Sequence, residues 1–143
     1  MDYQVSVVGG GISGALAALY LGKSRVKTCL IDRGKPSQRL SNPYIGKTTS
    51  LNLSSIASLR DVGIWEDIKK NAQEFNEIYV WDAEGSSSVQ FKAEEISRND
   101  LGVIVHNNII LESIYSKLEQ ISEVTLIEDC LLYTSDAADE CSC

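Results

Sequence analysis

The stretch Val5-Ser-Val-Val-Gly-Gly-Gly-Ile-Ser-Gly14 decides the fold, because a short apolar run ends in three consecutive glycines. The run over residues 3–8 is typical of a buried parallel strand. Apolar residues then recur at helical spacing over 12–21, and we expect Gly22 to end this helix. A second apolar strand over 26–31 completes a βαβ unit of about thirty residues.

The spacing of the glycines predicts a phosphate loop. Gly9 permits a tight turn out of the strand, and Gly14 lets the helix pack closely on that strand. Gly11 has no side chain, so a pyrophosphate can approach the N–H groups of the helix N-terminus. Asp32 ends the second strand, where its carboxylate can accept hydrogen bonds from ribose hydroxyls, and the following Arg33 indicates either a 2′-phosphate or a solvated charge. Together these features predict a dinucleotide site, although the motif alone does not separate FAD from NAD.

Composition and charge exclude several classes of function. The 143 residues carry 13 basic and 20 acidic side chains, a net charge of −7, which leaves no basic stripe for nucleic-acid phosphates. No run approaches the roughly 18–20 continuous apolar residues of a membrane helix. The first residues lack the basic segment of a secretory signal peptide, so we expect a cytoplasmic protein.

Residues after the βαβ unit are predicted to form a loop and then helices. Both prolines fall in 33–46, which is typical of an irregular loop. A helix over about 50–62 stops at Gly63 and is followed by a short helical turn over 64–68. Three serines near its start are expected to cap this helix. They are Ser50, Ser54 and Ser55.

The second half of the chain changes its period. Alternating segments at 78–82 and 88–92 flank a turn that contains Gly85, and they predict an antiparallel hairpin. An amphipathic helix is predicted over 109–121, and a further strand over 124–127.

Isolated side chains outside the glycine motif favour structural roles. His106 is the only histidine, and its place before a predicted helix is typical of a surface residue. Trp65 and Trp81 are predicted to pack rather than to stack on a ligand. Cys29 lies in an apolar strand and is predicted to be buried. No zinc-type spacing of cysteines and histidines occurs, so no metal site is predicted.

Residues 130–143 resemble a translated sequencing adapter rather than protein. The stretch Cys130-Leu-Leu-Tyr-Thr-Ser-Asp-Ala-Ala-Asp-Glu140 back-translates into a transposase-based adapter, and the last three residues then correspond to index bases. We therefore expect a non-native tail and exclude it from the fold. Without it the chain has 17 acidic and 13 basic side chains, a net charge of −4, and Cys29 as its one cysteine. We also expect the natural reading frame to continue beyond Asp129.

Four stretches of the chain are similar to one protein family. They are Val5–Ala15 with Leu30–Arg33, Lys47–Ser55 with Leu59 and Gly63–Trp65, Ile78–Asp82 with Gly85 and Phe91, and Leu101–Val105 with Asn107. In this order they resemble the FAD-dependent aromatic hydroxylases of ubiquinone biosynthesis, the 2-octaprenylphenol and 2-octaprenyl-6-methoxyphenol hydroxylase group of the para-hydroxybenzoate hydroxylase-like superfamily. The likeness covers essentially all of residues 3–129. Lys47 stands where the family usually has arginine, and Asp32 where glutamate is more common.

The resemblance implies an α/β fold: a truncated Rossmann-like FAD-binding βαβ domain followed by the start of an antiparallel substrate-domain sheet. The implied organisation has four parts. They are the N-terminal part of the FAD-binding domain (1–75), the start of the substrate-domain hairpin (76–100), a return to the FAD-binding domain (101–129) and the adapter-derived tail (130–143).

The implied cofactor is FAD, with NAD(P)H as co-substrate. Eight residues are then expected to bind the cofactor. They are Gly9, Gly11, Ile12, Ser13, Gly14, Asp32, Arg33 and Lys47. Lys47 is expected to approach the flavin phosphates or the isoalloxazine edge. No residue is assigned as catalytic, because the flavin carries the chemistry in this family.

The implied function is flavin-dependent hydroxylation of a polyprenylated phenol in ubiquinone biosynthesis, with O₂ as the oxygen donor. A location at the inner membrane face and a ubiquinone-biosynthesis complex are further expectations. The second flavin motif of the family, a Gly-Asp, is expected downstream, so the fragment by itself is expected to be inactive. The alternative is a free-standing dinucleotide-binding module without catalysis, which the segment from Gly9 to Asp32 fits equally well.

Overall fold

The structure is a computed structural model that describes residues 2–34, 46–128 and 130, and these form eight strands, four α-helices and one 3-10 helix. The strands are β1 (Val5–Val8), β2 (Thr28–Ile31), β3 (Thr48–Asn52), β4 (Gln73–Phe75), β5 (Glu77–Trp81), β6 (Ser88–Lys92), β7 (Gly102–His106) and β8 (Val124–Ile127). The helices are α1 (Ile12–Lys23), α2 (Leu53–Asp61), α3 (Trp65–Lys69) and α4 (Asn107–Leu118), and the 3-10 helix is Ala93–Ile96. The loop predicted over 33–46 and the tail predicted over 130–143 fall mostly outside the described residues.

A parallel sheet with strand order β1-β2-β8 forms the base of the fold. Its central strand β2 is covered on both faces, as a parallel strand of continuous apolar sequence requires. Leu30 pairs with Val7 on one side and with Leu126 on the other. The predicted βαβ unit and the α/β fold class are therefore confirmed.

Strands β3, β7 and β4 form a second, antiparallel sheet in this order. Strand β3 pairs with β7 along its whole length, from Thr48 opposite His106 to Asn52 opposite Gly102. A Cβ at Gly102 would lie 2.2 Å from the carbonyl oxygen of Leu51, so the two backbones meet too closely for any side chain. This contact explains the glycine in the segment Leu101–Val105.

Strands β5 and β6 form the predicted hairpin as a separate two-stranded sheet. Strand β5 lies one residue earlier than the predicted segment 78–82, and β6 has the predicted bounds 88–92. All residues of β5, and all of β6 except its last, are exposed to solvent.

The hydrophobic core lies between α1, α4 and the two larger sheets. Helix α4 spans Asn107–Leu118 instead of the predicted 109–121, and one of its faces is apolar. Ile110, Ile114 and Leu118 on this face are buried against the core. None of the helices in the described part of the chain is long and apolar enough to cross a membrane.

Helix α2 begins later than the helix predicted over about 50–62. Residues Thr48–Asn52 form a strand instead, because they pair with a distant strand that no local pattern reveals. Asn52 caps α2, since its Oδ1 accepts a hydrogen bond from the Ser55 N–H at 2.9 Å. The prediction that serines cap this helix is therefore wrong, and Ser50 lies in β3.

Gly22 was predicted to end α1, but it lies inside the helix. The helix runs on to Lys23. A Cβ at Gly22 would lie 2.5 Å from Val124 Cγ2 and 2.9 Å from Ile121 Cγ2. Gly22 therefore allows α1 to pack closely on the segment that leads into β8.

The predictions for isolated side chains had mixed outcomes. Trp65 is 4% exposed and packs in the core, as predicted, with the Arg60 guanidinium 5.7 Å from its ring centroid. Trp81 is 66% exposed, so its predicted packing role is wrong in this structure. His106 ends β7 and is half-buried rather than a surface loop residue. Cys29 is buried, as predicted.

Candidate functional site

The glycine loop connects β1 to α1 in a conformation that depends on missing side chains. Gly9 has φ +101°, a left-handed conformation that glycine adopts without strain, and its N–H donates to the Ile31 carbonyl at 2.8 Å. A Cβ at Gly14 would lie 1.9 Å from the Gly9 carbonyl oxygen. The first turn of α1 therefore lies directly against the loop, and the loop can close only with glycine at position 14.

Gly11 is the N-cap of α1 and leaves the helix N-terminus open. The Ala15 N–H donates to its carbonyl at 2.9 Å, which closes the first helical turn. No side chain in the described part of the chain caps this terminus, and its first turn contains no acidic residue. A Cβ at Gly11 would meet nothing within 4 Å among the described residues. The N-terminus of a twelve-residue helix with this open approach suits an anion such as a pyrophosphate.

Asp32 binds the same loop from the end of β2. Its Oδ2 accepts a short hydrogen bond from the Gly10 N–H, and its Oδ1 accepts one from the Gly34 N–H at 2.9 Å. A carboxylate accepts up to about four hydrogen bonds, so these two backbone contacts do not exclude ribose hydroxyls. The predicted ribose contact stays a prediction.

Seven of the eight residues predicted to bind the cofactor lie in or directly after the βαβ unit, and the eighth, Lys47, lies before the antiparallel sheet. Ile12 and Ser13 open α1 directly after the loop, and Arg33 follows Asp32 at the end of β2. Lys47 precedes β3 of the other sheet, with its side chain exposed. Its carbonyl accepts a hydrogen bond from the Asn107 N–H at 2.9 Å. The role of each of these side chains toward a cofactor stays a prediction.

Two residues at this site are absent from the sequence-based prediction. Gly10 lies between the motif glycines, and the Tyr115 hydroxyl of α4 donates to its carbonyl at 2.8 Å. The run of three glycines is a signal for Gly10, because the motif itself leaves this position unspecified. No local signal identifies Tyr115, which lies 105 residues further along the chain.

The site residues fit a dinucleotide on two observations. The N-terminus of α1 is open on the side where Gly11 has no side chain, and a carboxylate stands at the end of the neighbouring strand. Residues 2–126 match the family described as FAD binding domain. The chain therefore belongs to the FAD binding domain family, and FAD as the cofactor expected from the sequence is confirmed.

Curated relatives include ubiquinone biosynthesis enzymes. The chain is 30% identical over 142 residues to the mitochondrial ubiquinone biosynthesis monooxygenase COQ6 of Dictyostelium discoideum, covering 88% of this chain and 28% of that protein. It is 30% identical over 142 residues to human COQ6, covering 94% and 29%. It is 25% identical over 126 residues to 3-demethoxyubiquinol 3-hydroxylase of Escherichia coli K12, covering 86% and 32%. The chain thus spans about three tenths of the length of these relatives.

Solved structures share the fold at lower identity. Pseudomonas aeruginosa PqsL in complex with 2-aminobenzoylacetate superposes with a TM-score of 0.70 at 16% identity, covering 89% of this chain and 33% of that one. The p-nitrophenol 4-monooxygenase PnpA of Pseudomonas putida superposes with a TM-score of 0.65 at 21% identity, covering 87% and 31%. These likenesses show that the chain shares its α/β fold with the corresponding third of each of these two proteins.

Proposed function

We propose that this chain is the N-terminal part of a flavin-dependent monooxygenase that hydroxylates a polyprenylated phenol, with NAD(P)H and O₂ as co-substrates. The observation that carries the proposal is the open N-terminus of α1 beside Asp32, in a member of the FAD binding domain family. The reaction and the substrate class rest on the names of the curated relatives, which are ubiquinone biosynthesis monooxygenases and 3-demethoxyubiquinol 3-hydroxylase.

The chain's own residues bind and orient the cofactor in this proposal. The N–H groups at the start of α1 bind the pyrophosphate, because Gly11 leaves them accessible and the helix dipole favours an anion. Asp32 accepts the ribose hydroxyls of the adenosine half. Lys47, Ile12, Ser13 and Arg33 complete the proposed contacts. Bound FAD would supply the redox chemistry of the reaction, namely hydride uptake from NAD(P)H and activation of O₂.

We further propose that the hairpin of β5 and β6 begins a substrate domain, with the FAD-binding domain formed by 1–75 and 101–129. One face of the hairpin is entirely apolar. It consists of Ile78, Val80, Val89 and Phe91. All four are between 40% and 49% exposed. A two-stranded hairpin is marginal alone, and an exposed apolar face of this kind requires further strands or a covering layer.

The occupant that we propose for this face is the downstream part of the same natural protein. The chain matches only 28% and 29% of the length of two of the curated relatives, which leaves ample length for further strands. A cytoplasmic location with peripheral attachment to the inner membrane face, and assembly into a ubiquinone-biosynthesis complex, also belong to the proposal. A polyprenylated substrate partitions into lipid, and this supports a location beside the membrane.

The natural DNA downstream of codon 129 provides the first test. The natural reading frame is recovered from genomic DNA, expressed in full and purified. We expect FAD in equimolar amount and oxidation of NAD(P)H that depends on a prenylated phenol, with a product that carries one additional oxygen atom. A frame that ends within a few codons of residue 143 contradicts the proposal. Tight FAD binding without hydroxylation of any prenylated phenol favours the alternative, a dinucleotide-binding module without catalysis.

The hairpin proposal has a separate test in the same full-length protein. Val80→Asp places a carboxylate on the apolar face, and we expect a loss of about 2–3 kcal/mol in unfolding free energy if further strands cover it. Ser86→Asp in the exposed turn is the matched control and is expected to change the stability by less than about 0.5 kcal/mol. Equal stability of the two variants contradicts a covered face.

A further inference from the structure

We propose that Tyr115 is a positioning residue for the phosphate loop, which it fixes from α4 through the carbonyl of Gly10. The inference rests on the proposed binding of FAD at this loop. It adds a residue that lies outside the glycine motif and far from it in sequence. Tyr115 does not touch the cofactor in this proposal but orients the group that does.

The geometry holds Gly10 from two sides. The Tyr115 hydroxyl donates to the Gly10 carbonyl at 2.8 Å in a buried contact, and the tyrosine is only 6% exposed. The Gly10 N–H donates in turn to Asp32 Oδ2. Both hydrogen-bonding groups of this one residue therefore bind protein side chains, which leaves the loop little freedom at its centre.

Planarity of the peptide bond transmits this contact to the phosphate site. The carbonyl of Gly10 and the N–H of Gly11 belong to the same peptide group, and in a trans peptide they point in opposite directions. Tyr115 holds the carbonyl towards the protein interior, so the Gly11 N–H faces away from Tyr115. The side chain thus directs this N–H without approaching the ligand.

Close packing provides an independent indication of the same role. A Cβ at Gly10 would lie 2.3 Å from Tyr115 Oη and 3.0 Å from Asp32 Oδ2. The second glycine of the triple run therefore leaves the space that these two side chains occupy. Helix α4, which carries Tyr115, packs on α1, and the tyrosine side chain lies in the same hydrophobic core.

Tyr115→Phe in the full-length natural protein tests the proposal, because it removes only the hydroxyl and leaves the ring. We expect the Kd for FAD to rise about tenfold, the order expected for one lost hydrogen bond to a site. We also expect faster amide hydrogen exchange at Gly10, whose N–H is hydrogen-bonded to Asp32 in the wild type. This second readout does not require FAD, so it remains informative if the wild-type protein fails to bind FAD and the proposed function itself falls.

Two control variants separate positioning from stability. Tyr20→Phe also removes one tyrosine hydroxyl. This hydroxyl donates to the Ser58 carbonyl at 2.8 Å and makes no contact with the glycine loop among the hydrogen bonds of the described residues. Ile114→Val lowers the stability of the same helix by about 1 kcal/mol without touching Gly10. Both controls are expected to keep the FAD Kd within about twofold. An unchanged Kd and unchanged loop exchange in Tyr115→Phe, or an equal loss of affinity in Ile114→Val, overturns the proposal.

Discussion

Helices α1 and α2 begin with almost the same backbone and with opposite use of their N-termini. The N-cap of α1 is Gly11, with φ −71° and ψ −178°, and that of α2 is Asn52, with φ −79° and ψ 173°. Asn52 caps its helix with its own carboxamide, whereas Gly11 has no side chain and leaves the N–H groups accessible.

The difference separates a helix end that the protein caps with its own side chain from one that it leaves uncapped among the described residues. The N–H groups at the start of a helix need an acceptor from a side chain, water or a ligand. In α2 the protein supplies the acceptor itself. In α1 the space is open, and the pyrophosphate of FAD is the acceptor that we propose. Backbone conformation alone does not distinguish the two helix ends, because it is nearly identical in both.

Gly14→Ala is expected to give the largest effect, since it removes the packing that places α1 against the loop. The added Cβ would lie 1.9 Å from the Gly9 carbonyl oxygen, which is backbone and cannot move aside cheaply. We expect the free energy of unfolding to fall by about 3 kcal/mol or more, measured by chemical denaturation of the full-length protein. A variant with wild-type stability would contradict the described contact between loop and helix.

Gly11→Val tests whether the open helix end serves the cofactor. The side chain has room in the protein, so we expect the apoprotein to lose no more than about 1 kcal/mol of stability. It fills the side from which the pyrophosphate approaches, so FAD affinity is expected to fall by at least about 100-fold. Equilibrium dialysis of FAD measures the affinity. Retention of FAD at the wild-type level would rule out this loop as the phosphate site.

Asn52→Ala makes the equivalent change at α2 and is expected to affect stability alone. Loss of the cap should cost about 1 kcal/mol, and Asn52→Gly only a few tenths of a kcal/mol. FAD affinity should stay within about twofold of the wild type in both variants. A marked loss of FAD binding in Asn52→Ala would show that the two helix ends are coupled, against the comparison drawn above.

The sequence predicted the α1 site because all of its signals are local. Strand, glycines, helix and acid fall within about thirty residues, and their spacing alone specifies the unit. The cap of α2 could not be predicted in the same way. Three serines near its start suggested a cap, but pairing of β3 with β7 moves the start of the helix past Asn52.

Contacts between distant residues account for what else the sequence did not reveal. Tyr115 reaches Gly10 across 105 residues, and Gly22 and Gly102 are each required by a close approach of another segment. The family resemblance anticipated the segment around Gly102, but only the paired backbones give its physical reason. The role of Lys47 comes from the resemblance alone; the residue directly precedes β3, and its contact with the cofactor stays a prediction.

Gly11→Ser is the smallest and most selective change, because it gives α1 the kind of cap that α2 already has. A serine at the N-cap can accept a hydrogen bond from the N–H of Ser13 or Gly14, so the apoprotein is expected to gain a few tenths of a kcal/mol. The same oxygen competes with the pyrophosphate for these groups, so FAD affinity is expected to fall, though less than in Gly11→Val. Thermal unfolding without FAD and a titration with FAD therefore move in opposite directions. A serine variant that binds FAD more tightly, or that loses stability as well as affinity, would show that the open N-terminus of α1 is not reserved for the ligand.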